Sequence, residues 1–254
     1  MTKFKNILIT GASSGIGEAL ALYYASHGAE NLFLCGRNLQ RLEAVAQNCR
    51  KNSHIKVITQ IIDITDRQSV YEWINLCNRT APLNLIFANA GISTGAETSD
   101  NIYNTFSTNV MGVVNTVLPS IEIYQNQSLS TPKAIAITSS IAGYHGLMTC
   151  PSYSASKSCV KAWGEALRLS LKPKKIQINV ICPGFVRSRI TDKNTCPMPF
   201  FMEAEKAAEI IASRIEKNIG LITFPWPMRF AAWFGSILPN WLSEFIYSKM
   251  PYKV

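Results

Sequence analysis

The sequence predicts an α/β fold: a doubly wound parallel sheet within a single domain. Three observations predict it. Short apolar runs alternate with helix-length stretches of 3.6-residue periodicity along most of the chain. The runs are continuously apolar rather than alternating, as expected for strands covered on both faces. A glycine-rich turn follows the first run directly and opens a helix, the usual entry into a phosphate-binding βα unit.

In chain order, the first strand is predicted at Asn6–Thr10, followed by the turn Gly11-Ala12-Ser13-Ser14-Gly15-Ile16-Gly17 and a helix through Ala19–Ser26. The second and third strands are Asn31–Cys35 and Lys56–Ile62. Thr65 and Gln68 read as a T-x-x-Q capping box that opens a helix ending near Arg79. Further strands follow at Leu83–Ala88, Ala134–Thr138, Gln177–Cys182 and Leu221–Phe224, with a helix from Glu203 to about Lys217 before the last. No repeat or linker interrupts residues 1–224, which read as one domain, with 225–254 as a C-terminal helical appendage.

Composition narrows the function. Apolar residues make up 47% of the 254, enough for a large core, while charged residues are only 16% against a usual ~25%. Disorder is excluded, and much of the surface is expected to be covered by a partner subunit or a membrane. The net charge of +9 favours anionic partners. The densest basic cluster, Lys172-x-Lys174-Lys175, sits at a helix end where cations are ordinary, so nucleic acid is not an expected partner. Seven cysteines without a C-x-x-C suit neither a disulfide framework nor a zinc site, which predicts reduced thiols, a cytoplasmic location and no bound metal. The short apolar run Ile7–Ile9 is too brief for a signal peptide, and no stretch reaches the ~18 apolar residues of a spanning helix.

The chemistry concentrates at the predicted strand ends. Gly11, Ser13, Ser14, Gly15, Ile16 and Gly17 would cradle a pyrophosphate at a helix N-terminus. After the second strand, Gly36-Arg37 stands where an acidic residue would bind a ribose 2′-hydroxyl; a guanidinium suits a 2′-phosphate, so NADP(H) is favoured over NAD(H). Asp63, with Ile64 beside it, could accept from an adenine amino group or cap the following helix beside Thr65, and both roles are compatible. Ser139-Ser140 end a strand, and Tyr153 and Lys157 stand one above the other at i, i+4 on a helix. Bringing a phenol from its usual ~10 to near 7 takes about 4 kcal/mol of preference for the phenolate, which a nearby ammonium and an oxidised nicotinamide could supply by charge proximity.

With these motifs the chain resembles the classical short-chain dehydrogenase/reductase family over residues 5–224: T-G-x-x-x-G-x-G at Thr10–Gly17, N-A-G at Asn89-Ala90-Gly91, and Y-x-x-x-K at Tyr153–Lys157. The resemblance implies a Rossmann-type sheet of about seven parallel strands and a catalytic tetrad of Asn109, Ser140, Tyr153 and Lys157. The family spacing selects Ser140 over Ser139. It implies Tyr153 as acid/base, Ser140 as a hydrogen-bonding partner of the substrate oxygen, and Lys157 as the holder of the nicotinamide ribose that also lowers the tyrosine pKa. Asn109 would support a water linking Lys157 to solvent. Asn89, Ala90 and Gly91 would line the cofactor groove, and Pro183, Gly184, Val186 and Ser188 would hold the carboxamide. Ser188 replaces the family threonine and keeps the hydroxyl. Ser13 replaces the basic residue many NADP-dependent members carry, which leaves Arg37 to provide more of the selectivity.

By the same resemblance, Arg189–Met202 forms a lid whose Cys196-Pro197-Met198-Pro199-Phe200-Phe201-Met202 is apolar, so an apolar, lipid-like substrate is expected. Tyr144, His145, Leu147 and Met148 are expected on the opposite wall. The last thirty residues carry Phe230, Trp233, Phe234, Ile237, Leu238, Trp241, Leu242, Phe245 and Ile246 at helical spacings through two helices broken at Pro239, with Arg229, Lys249 and Lys253 near the edges. This stripe suits core packing, a subunit interface or peripheral contact with the inner face of a membrane. The expected activity is carbonyl–alcohol interconversion with NADP(H); the alternatives are a non-catalytic redox sensor and an epimerase or dehydratase using bound cofactor. A homo-oligomer, dimer or tetramer, is the family expectation.

Overall fold

The computed structural model describes residues 1–51, 55–128, 131–194 and 197–248, apart from the side chains of Lys193 and Tyr247. Cys196, Lys249 and Lys253 lie outside the described residues. The first half of the chain forms β1 (Asn6–Thr10), α1 (Gly15–Ser26), β2 (Asn31–Gly36), α2 (Leu39–Lys51), β3 (Lys56–Ile61), α3 (Arg67–Thr80), β4 (Leu85–Ala88), α4 (Ser99–Phe106) and α5 (Gly112–Asn126). The second half adds β5 (Ala134–Thr138), α6 (Pro151–Leu171), β6 (Gln177–Pro183), α7 (Ala204–Glu216), β7 (Leu221–Phe224), α8 (Trp226–Ser236) and α9 (Asn240–Tyr247). The seven strands make one sheet in the order β3-β2-β1-β4-β5-β6-β7, with parallel pairing throughout.

Both faces of the sheet are covered, which is why the strands read as unbroken apolar runs. Along β1, Ile7 and Ile9 pack on one face with Leu20, Leu42 and Ile211 of α1, α2 and α7. Leu8 points the other way, into a cluster with Trp73, Val117 and Val160 of α3, α5 and α6. β4 starts two residues later than predicted, at Leu85, because the Asn84 side chain accepts the backbone N–H groups of Lys5 and Asn6 just before the ladder begins.

The cap of α3 also differs from the T-x-x-Q reading. Asp66 is the N-cap, accepting from the amides of Gln68 and Ser69, whereas the Thr65 hydroxyl turns back to Asp63. An aspartate in the neighbouring position competes better for the first-turn amides than a threonine already engaged upstream. Glu203 occupies the N-cap of α7, and its carboxylate forms a two-pronged pair with Arg187 at 2.6 and 2.9 Å.

The strand order reverses between β1 and β4. Ligands of open α/β sheets bind in the crevice beyond the carboxyl ends of the strands at such a switch point. Among the described residues, no helix is long and apolar enough to cross a membrane.

Candidate active site

A cleft of about 400 Å³ opens at the switch point, lined by residues from the ends of β1 to β6. Its floor is the turn between β1 and α1. Gly11 and Gly15 adopt φ of +67° and +59°, the left-handed region that only glycine enters without strain. Gly17 has no room for a side chain: a Cβ there would stand 2.3 Å from the Gly11 carbonyl oxygen and 2.7 Å from Asn89 Nδ2. Ser14, the extended N-cap of α1, makes no side-chain bond to the helix, so the first-turn amides of α1 open onto the cleft and present its positive end to an anion. This bare-backbone cradle fits a dinucleotide pyrophosphate.

Asn89 ties the floor together. Its Nδ2 donates to the Thr10 carbonyl at 3.0 Å, its backbone amide donates to the Thr10 hydroxyl, and its Oδ1 accepts from Thr138, so one side chain spans β1, β4 and β5. At the far end, the Arg37 guanidinium lies 3.7 Å from the Asp63 carboxylate. Partial burial pushes that carboxyl up, but the amide and hydroxyl of Thr65 and the Arg37 charge hold it below its ordinary value. Asp63 is therefore already engaged by Thr65 but does not cap the helix, a role taken by Asp66, and it still lines the cleft with Ile64.

Sequence reasoning missed Arg41 here. It lines the same end of the cleft, and its Nε is buried with no hydrogen-bond partner. Its i+4 spacing from Arg37 was the available signal.

The opposite end holds the candidate acid–base group. Ser139 and Ser140, directly after β5, have different fates. Ser139 is buried and donates to the Lys157 carbonyl at 2.7 Å, whereas the Ser140 oxygen accepts from the Ala142 amide and lines the cleft with Tyr153. α6 carries both Tyr153 and Lys157, its N-terminus capped by Glu97, which accepts from the amide and hydroxyl of Ser152. Lys157 is almost wholly buried, donates to the Thr138 carbonyl at 3.0 Å, and lies 5.8 Å from the centre of the Tyr153 ring.

The electrostatics differ from expectation. Desolvation pushes the Tyr153 phenol up to about 12 despite the opposing influence of the Ser140 hydroxyl. Burial likewise pulls the Lys157 amine down to about 8, with Cys182 acting weakly in the other direction. In this arrangement, burial outweighs the expected pull of the lysine on the tyrosine.

Asn109 lies in a π-helical turn, Ser107–Met111, that joins α4 to α5. Its Oδ1 accepts from the Ile92 amide at 2.8 Å, and its Nδ2 donates to the Ile92 carbonyl and to the Ser156 hydroxyl. The absence of a side chain at Gly91 matters here, because a Cβ would lie 3.1 Å from Asn109 Oδ1 and 3.2 Å from Lys157 Nζ. Asn109 and the lysine thus meet across a glycine.

Pro183, Gly184, Val186 and Ser188 line the third side, with Ser188 fixed by the Thr191 hydroxyl, which accepts its amide at 2.9 Å. None of the four residues expected on the opposite wall, Tyr144, His145, Leu147 and Met148, lines this cleft. The Tyr144 hydroxyl is drawn to Thr223 of β7 at 2.8 Å, with the Lys161 ammonium 4.7 Å from its ring centre. Among the described residues, the segment expected as an apolar lid divides between the cleft and its flank. Arg189, Ile190 and Thr191 line the cleft, while Met202 is pinned to Val186 in a β-bridge and Phe201 stacks under Arg187.

A doubly wound sheet with a glycine cradle at its switch point, and a half-buried Ser140 and Tyr153 beside a buried Lys157, defines a Rossmann-type protein. The short chain dehydrogenase family model matches residues 5–197, and the chain belongs to that family of oxidoreductases. It is 32% identical over 242 residues to an uncharacterized oxidoreductase of Myxococcus xanthus, covering 93% of this chain and 94% of that one. Among solved structures it resembles a short-chain dehydrogenase from Sphingobium yanoikuyae in complex with NADPH, with a TM-score of 0.79 at 24% identity over 97% of this chain and 96% of the other. A short chain dehydrogenase/reductase from Burkholderia phymatum in complex with NAD matches with a TM-score of 0.82 at 22% identity, over 100% of this chain and 99% of the other.

Proposed function

We propose that the protein interconverts a carbonyl and a secondary alcohol on an apolar substrate with NADP(H), using Tyr153 as acid/base. The observation that carries this reading is the convergence of Ser140, Tyr153 and Lys157 at the wall of the cleft, with Lys157 one helical turn after Tyr153 and its Nζ 5.8 Å from the centre of the tyrosine ring. Burial raises the Tyr153 phenol to about 12, so at neutral pH it holds the proton that reduction would deliver to a carbonyl oxygen.

In that direction the Tyr153 O–H donates to the substrate oxygen, and the Ser140 hydroxyl donates to the same oxygen as negative charge builds on it. The Lys157 ammonium, one turn behind, stabilises the phenolate that remains and is placed to hold the ribose. Asn109 keeps Ile92 and Ser156 in register around the lysine, consistent with a positioning role in its reprotonation. When bound, the nicotinamide supplies the hydride and, once oxidised, a positive charge near the phenol. Gly11, Ser13, Ser14, Gly15, Ile16 and Gly17 would hold its pyrophosphate, Asp63 and Ile64 its adenine, Asn89, Ala90 and Gly91 the groove wall, and Pro183, Gly184, Val186 and Ser188 its carboxamide end. Arg37 and Arg41, two guanidiniums at the adenosine end and one of them unpaired at Nε, support NADP(H) over NAD(H).

The test is NADPH and NADH oxidation over ketones and aldehydes of rising chain length, with Tyr153→Phe in parallel. NADPH-preferring turnover that grows with chain length and falls about 100-fold or more in the variant is expected. Tyr153→Phe turning over at the wild-type rate would remove Tyr153 from the chemistry. NADPH binding with no turnover of any carbonyl would favour the sensor reading.

A further inference from the structure

The two C-terminal helices turn their aromatic residues away from the protein. In α8, Met228, Ala232 and Gly235 face the body, and only Gly235 is fully buried. At about 100° per residue, Trp226, Phe230, Trp233, Phe234 and Ile237 fall in a sector about 100° wide, centred diametrically opposite that contact. All five are exposed, Trp226 to 79% and Phe230 to 59%. Phe230 stacks on Phe234 and touches Trp233, with ring centres 6.2 and 6.0 Å apart, so the rings form one patch. In α9 the pattern repeats: Ser243 is buried, and Trp241 and Phe245, one turn apart on the far side, are exposed to 71% and 57%.

We propose that this surface inserts into the interface of a phospholipid bilayer carrying anionic headgroups. Three of the five tryptophans of the chain lie here, a residue suited to the headgroup boundary, where its ring is apolar and its N–H wet. Charge selects lipid over a second copy. Residues 225–254 hold Arg229, Lys249 and Lys253 against the single acid Glu244, and the whole chain carries +9, so two copies repel while an anionic surface attracts. Arg229 is exposed on the flank of the aromatic sector, where a cation meets headgroups as the rings sink below them. The base of α8 also abuts the candidate site: a Cβ at Gly184 would meet Met228 Sδ at 2.7 Å and Pro225 at 3.1 Å. Docking would thus bring the cleft close to the bilayer surface. The proposal concerns binding alone and stands apart from the cofactor and proton roles.

The test is co-sedimentation of the full chain with vesicles of phosphatidylcholine and phosphatidylglycerol in a three-to-one ratio, beside pure phosphatidylcholine. The variant is Trp233→Ser/Phe234→Ser, which alters only outward-facing positions. Binding to the mixed vesicles that falls about tenfold or more in the variant, and falls with salt, is expected. Quenching of tryptophan fluorescence by brominated lipid supplies a readout on the unaltered protein, should the variant fold poorly. No sedimentation and no quenching with mixed vesicles would overturn the proposal. So would a light-scattering mass that drops from dimer to monomer in the variant with no vesicle binding by either form, which would assign the patch to a second copy.

Discussion

Gly17→Ala tests the close packing of the cradle. The added methyl would stand 2.3 Å from the Gly11 carbonyl oxygen, where ordinary contact begins near 3.4 Å, so the turn must open by about 1.1 Å. Forced overpacking of this kind costs about 1–3 kcal/mol. Displacing Asn89 Nδ2, 2.7 Å from the same methyl, weakens its bond to Thr10 and adds about 1 kcal/mol. Against this, alanine in place of glycine within a helix returns about 1 kcal/mol. The net loss is about 2 kcal/mol, and at about 2–4 °C per kcal/mol for a chain of this size the melting temperature drops by about 4–8 °C. Calorimetry on the variant and on Gly146→Ala, where a Cβ meets nothing within 4 Å, separates crowding from a general effect of alanine. A Gly17→Ala protein melting within about 1 °C of wild type, with unchanged NADPH affinity by fluorescence titration, would refute the reasoning.

Three further outcomes follow from the site. Lys157 is depressed to about 8 in the folded chain from an ordinary 10.5, so below pH 8 both states carry the ammonium, and above it the unfolded chain binds more protons. Stability relative to Lys157→Met should therefore climb between pH 8 and 10.5, by up to about 3 kcal/mol, checked by urea unfolding of both proteins at about pH 7.5 and 9.5. Arg37→Ala and Arg41→Ala should each weaken NADPH binding about 10- to 100-fold while changing NADH binding little, as paired titrations would read. Tyr144→Phe should lower stability by about 1 kcal/mol through the lost bond to Thr223 and leave kcat/KM unchanged, because the ring lies outside the cleft lining.

Much of the fold was legible because both sheet faces are covered, so each strand announces itself as an apolar run and each intervening helix by its period. The glycine turn was legible for a similar reason, since close backbone approach leaves only one residue type. What escaped depends on where a side chain turns. Thr65 and Asp66 are adjacent and both cap-competent, and only the prior bond of Thr65 to Asp63 decides between them. Tyr144 is drawn away from the cleft by Thr223, a partner 79 residues distant that no local pattern reveals. Arg41 stood four residues after Arg37, but that spacing alone does not bring a guanidinium to the cleft; its buried, unpartnered Nε is a property of packing. The rise of Tyr153 to about 12 reflects how much burial surrounds it, which the Y-x-x-x-K spacing does not encode.

The pairing of β1 with β4 has a consequence for how the molecule assembles. β1, β2 and β3 join through successive short crossovers, whereas Asn6 meets Asn84 across 78 residues. Closing that loop costs chain entropy before it returns any contact, so pairing across the middle of the sheet is expected late relative to the local units. Asn89, which holds Thr10 and Thr138 together at the floor of the cleft, then closes after both halves exist. Nucleotide affinity would report completed folding: a refolding chain should recover its helices before it recovers the ability to bind.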